Sequence, residues 1–70
     1  MSTEDELLQV EEDLARLRAE NRELREQIGD MGATDQIEIG AMIAMADERE
    51  ELIADLERRR ADLRQRLQRS

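Results

Sequence analysis

Carboxylates and guanidinium groups are the strongly ionic side chains of this sequence: 19 Asp and Glu against 11 Arg, with no Lys, His, Cys, Tyr, Trp, Phe or Pro in 70 residues. Thiolate and imidazole chemistry is therefore excluded, and with it the usual nucleophiles, general bases and soft metal ligands. What carboxylates can do alone is hold a hard cation, and the densest set near a turn is Asp30, Asp35 and Glu38. Oxygen ligands there would suit Mg2+. A cation loop, however, alternates its ligands closely around a glycine at its turn, and this stretch does not. Capping of a turn and a helix start accounts for the three acids, so neither metal nor cofactor is expected and no enzyme activity is read.

The second ionic group is Arg58, Arg59, Arg60, Arg64, Arg66 and Arg69. Such a cluster could contact phosphates. Against that stand a net charge of -8 and the absence of aromatics on which bases stack. Cations also suit the C-terminal turns of a helix. A nucleic-acid partner is not expected.

These groups must be carried by helices. Leu, Ile, Val and Met number 19, Pro is absent, and Gly occurs only at 29, 32 and 40. Breakers thus gather in the middle, which predicts a helix near 4–30, a turn near 31–35 and a helix near 36–68 in one helical-hairpin domain, residues 1–70. Thr3 with Glu6 has capping-box spacing, and Asp35 with Glu38 has a carboxylate version of it. Gly32, or else Gly29, is placed to close the first helix. The longest apolar run, Ile39 to Ala46, is broken by Gly40 and is far shorter than the ~20 residues of a membrane span. Met1 to Glu6 has no basic segment of the kind that opens a signal peptide, so a cytoplasmic location is expected.

The first helix keeps a heptad throughout, with Leu7, Leu14, Asn21 and Ile28 at a, and Val10, Leu17, Leu24 and Met31 at d. The second continues as Ile39, Ala46, Ile53, Arg60 and Leu67 at a, with Met42, Arg49, Leu56 and Leu63 at d. A lone Asn at an a position is the register device of a parallel two-stranded coil, so the first helix resembles a leucine zipper, the dimerisation piece of a regulator. Folding the second helix back instead, with the bend at residue 35, pairs positions whose numbers sum to 70. Leu7 then meets Leu63, Leu14 meets Leu56, Leu17 meets Ile53, Leu24 meets Ala46, Ile28 meets Met42 and Met31 meets Ile39. Asn21 falls opposite Arg49, and only Val10 with Arg60 is mismatched. Flanking charges expected to attract are Glu6 with Arg66, Asp13 with Arg59, Glu4 with Arg64 and Arg18 with Glu50, against one repulsion, Glu11 with Glu57. The antiparallel hairpin is the preferred reading.

Gly29-Asp30-Met31 on such a hairpin resembles the N-terminal coiled coil of the Gre family of transcript-cleavage factors. That resemblance implies an acidic tip reaching into the RNA polymerase secondary channel. The family pattern continues with Glu and Asn where this chain has Ala33 and Thr34, and the family's globular C-terminal domain has no counterpart in these 70 residues. No residue role is carried over.

Ile37 to Ala46 is the most informative segment. Ile39, Met42, Ile43, Met45 and Ala46 are read as facing the first helix, which leaves Ile37, Gly40, Ala41 and Ala44 on the back. Small residues there would let another helix approach closely, and the methionines nearby make an adaptable surface. A chain this small, without metal or disulfide, commonly completes its core with a partner. The expectation is an all-α antiparallel hairpin that dimerises as a four-helix bundle and acts by contact with itself or with another protein.

Overall fold

The computed structural model describes residues 2–31 and 36–69, and the described residues form two helices with no strand. Helix α1 runs Thr3–Asp30 over 28 residues and α2 runs Gln36–Arg69 over 34. At 1.5 Å per residue α2 alone measures about 51 Å. The molecule is 54 × 17 × 14 Å, so its long axis is one helix long and the two helices lie side by side. The chain is an α-helical hairpin, the all-α antiparallel arrangement preferred from the sequence.

Local chemistry explains the ends. Ser2, not Thr3, caps α1: its backbone is extended and its Oγ accepts from the Asp5 N–H at 3.1 Å. Thr3 is already helical, and a cap must stand just outside the helix to reach the free N–H groups. Glu4, Asp5 and Glu6 in the first turn favour the positive end of the helix dipole, as Arg66 and Arg69 do the negative end of α2. Gly29 does not close α1 but lies within it, and the last cap is Met31, in ordinary right-handed geometry, donating to Ile28 O at 3.4 Å. Gly40 likewise sits inside α2. The roles expected of Gly32 and Asp35 lie outside the described residues.

The buried interior is concentrated far from the turn. Val10, Leu14 and Leu63 are 5, 1 and 2 % exposed, and Leu7, Ile53 and Leu56 pack against them. Toward the turn the interior narrows to Leu24 and Ala46, with Asn21 buried between the two regions.

Candidate interaction surface

Along the seam, Val10, Leu14, Asn21, Leu24 and Leu63 are buried, and Leu7, Leu17, Ile28, Ile39, Met42, Arg49, Ile53, Leu56 and Leu67 are half-buried. Arg60, opposite Val10 in the heptad, is half-buried too. Its long stem can line the seam while the guanidinium stays wet. The layer expected to join Asn21 to Arg49 differs in detail: Asn21 is 6 % exposed and its Oδ1 has no hydrogen-bond partner.

The two flanks are unlike each other. On one, Arg18 Nη2 donates to Glu57 Oε1 at 2.7 Å, Arg25 Nε to Glu50 Oε1 at 3.1 Å, and Arg64 Nη2 to Glu11 Oε1 at 3.0 Å. Arg25 also reaches Asp47 at 3.4 Å. On the other flank the cross-helix ion pair is Arg59 with Glu6 at 3.8 Å. Arg66 turns to Asp62 on its own helix, and Asp13 to Arg16 and Gln9 on its own.

These are not the partners expected from heptad position, and the reason is side-chain direction. Every helical side chain leans toward the N-terminus of its own helix, so in an antiparallel pair the two leans oppose. With Leu7 and Leu14 in one cluster with Leu63 and Leu56, Glu11 and Arg64 lean toward each other, whereas Glu11 and Glu57 lean apart. The chain thus takes Arg18 to Glu57, one heptad beyond Glu50, and the expected repulsion does not form. Arg59 and Glu6 lean apart, and theirs is the longest of the cross-helix pairs.

Electrostatics follow these contacts. The hydrogen bond from Arg18, aided by its charge and by that of Arg60, holds the Glu57 carboxyl below the ordinary carboxylate range. The hydrogen bond to Glu50, then its charge, raises the already high pKa of Arg25. All these groups keep contact with solvent, Glu57 and Arg60 being half-buried and the rest exposed, so the pairs tune orientation more than they hold the fold.

The outward faces carry exposed apolar surface. Ile37 is 84 % exposed, and Gly40, Ala41 and Ala44 beside it are exposed as well. Ile43 and Met45, expected to face α1, are 40 and 47 % exposed: they occupy the two flanks, where the opposing residues are charged or polar and cover them poorly. Leu52, one heptad from Met45, is 53 % exposed. On α1 Leu8 alone among the described residues is a large apolar side chain this exposed.

Open grooves run along the flanks, one lined by Arg18, Asn21, Arg25, Glu50 and Ile53, another by Glu20, Glu23, Leu24, Met45 and Arg49. Among the described residues no three His, Cys, Asp or Glu side chains converge as metal ligands. Asp30 ends α1 and Glu38 lies in the first turn of α2, while Asp35, Ala33 and Thr34 are outside the described residues. The terminal arginines spread around α2, with Arg58 on Asp55, Arg59 on Glu6 and Arg64 on Glu11. No described helix is long and apolar enough to cross a membrane. Comparisons with protein families, with curated proteins and with solved structures each find no match.

Proposed function

We propose that this chain is a non-enzymatic coiled-coil module that works through homodimerisation and protein–protein contact, with the dimeric four-helix bundle as the assembly suggested by its sequence. The observation that carries the reading is the exposed apolar surface of α2: Met45 and Leu52 in a row on one flank, one heptad apart, with Ile37 on the adjoining back face. Two helices only 17 × 14 Å in cross-section cannot cover both faces of α2 by themselves. Scattered apolar residues are ordinary on a surface, whereas a row along one helix marks a contact. The carboxylates and arginines serve as an ionic rim on this reading, since they pair with one another across the seam and along each helix.

Sedimentation equilibrium and thermal melting over a hundredfold concentration range test it. A mass approaching twice 8.2 kDa and a melting temperature that climbs with concentration support the proposal. A mass of 8.2 kDa with a concentration-independent melt throughout would refute homodimerisation. Ala44→Glu, on the exposed back of α2, should weaken the dimer while Arg22→Glu, exposed on α1, should not.

A further inference from the structure

Helix α2 is polarised in charge and striped in hydrophobicity. Residues 36–57 hold seven acids and one arginine, and 58–69 hold six arginines and one acid. Along one flank Glu38, Met45, Leu52 and Arg59 recur at seven-residue intervals, with Met45 and Leu52 about half exposed. Ala41, exposed between Glu38 and Met45, adds no bulk beside them. The order is acid, apolar, apolar, base. Read backwards it is its own complement.

We infer that a second copy of this chain docks antiparallel on that flank, with a two-fold axis crossing α2 between Glu48 and Arg49. In this arrangement Met45 packs on Leu52 of the second copy, and Leu52 on its Met45. Glu38 meets Arg59 of the second copy at each end, where Arg59, among the described residues, otherwise has its long 3.8 Å contact to Glu6. The two Glu48 side chains approach near the axis, with an Arg49 from each chain beside them. A parallel alignment would stack Glu38, Glu48 and Arg59 each on its own copy, and like charges reject it.

The inference rests on the homodimerisation reading and narrows it. An isologous contact needs one self-complementary patch, which this flank supplies whole. Helix α1 contributes Glu6, Asp13, Glu20 and Gln27 to the same flank, all polar, so the contact joins α2 to α2 and does not bury the four helices equally. One helix-on-helix contact is small, which makes the association weak and concentration-dependent. The contact shares Ala41 with the back face of α2 and turns from Ile37 toward Met45 and Leu52.

The chain has no cysteine, so single substitutions map the contact cleanly. Full-length Met45→Cys and Leu52→Cys chains, mixed and oxidised, should give chiefly the mixed disulfide. Ile37→Cys alone should not link to itself, because its two copies would stand about 35 Å apart at 1.5 Å per residue. Glu38→Arg should weaken the dimer about tenfold by sedimentation equilibrium, and adding Arg59→Glu should restore it; circular dichroism on each variant checks that the helices persist. A dimer whose Ile37→Cys chains link to each other would overturn the antiparallel register and leave homodimerisation standing. A dimer that neither Glu38→Arg nor Leu52→Glu weakens would overturn this surface. A folded monomer up to about 1 mM, where a 1 mM dissociation constant is worth only ~4 kcal/mol, would overturn both readings.

Discussion

The end of the hairpin that carries the termini and the end that carries the turn follow one heptad but are packed to different depths. At the terminal end Val10, Leu14 and Leu63 are nearly sealed, with Leu7, Ile53 and Leu56 around them. At the turn end Leu24 and Ala46 are buried, while Ile28, Ile39 and Met42 are covered only in part. The pattern assigns a face, but depth depends on what stands opposite. Leucine against leucine fills the space between two helices, and alanine opposite leucine fills it only by bringing the backbones closer. Gly40, with nothing within 4 Å of where its Cβ would be, adds no side chain to that end.

If depth rather than pattern sets stability, the largest difference lies between matched truncations at the two ends. Leu14→Ala should cost about 2 to 5 kcal/mol, because it removes a sealed side chain from a cluster with little room to collapse. Ile39→Ala, at a half-buried site, should cost less than half as much. Urea denaturation at one protein concentration checks this, and equal costs would erase the distinction between the ends. Next in size is the boundary between them. Asn21→Leu removes an unpartnered buried carbonyl and should raise stability by about 1 to 2 kcal/mol. A loss on the same denaturation curve would mean that Asn21 is satisfied by a contact formed only in the assembled protein.

The smallest effect belongs to the ionic flank. With its pKa held down in the fold, Glu57 contributes stability that is present above the ordinary carboxylate range and fades as pH falls through the lowered value. The melting temperature of the native chain should therefore exceed that of Glu57→Gln slightly near neutral pH, and the gap should close as pH falls below the ordinary carboxylate range. A gap that widens with acid would show that relief of the -8 net charge, and not the Arg18 contact, governs the acid side.

Periodicity made the two helices and the residues between them legible, because seven-residue spacing of Leu and Ile is a direct image of a helix face. The absence of proline with glycines gathered mid-chain made the hairpin legible as well. Partner choice among the charges was not, since spacing says which flank a residue occupies and is silent on which way its side chain leans; Arg18 with Glu57 shows the size of that shift, one full heptad. The capping role of Ser2 is masked in the sequence by Thr3 with Glu6, which has the spacing of the same motif one residue later. Met45 is apolar without being buried, because the heptad places it at the edge, in line with Leu52. The same edge position made the self-complementary row readable once exposure was known.

The distance of the packed end from the turn also bears on how the chain first finds its shape. Leu14 and Leu63 enclose a loop of about 50 residues, Leu24 and Ala46 one of about 20. Closing the longer loop costs only about 0.8 kcal/mol more, since the entropy grows with the logarithm of length. One buried leucine contributes roughly 1.5 to 3 kcal/mol, so the more distant contact is the more lasting one. Folding need not zip from the bend: the chain's two ends can meet first and draw the middle in after them. Rate changes on truncation larger at Leu14 and Leu63 than at Ile39, relative to each one's equilibrium cost, would record that order.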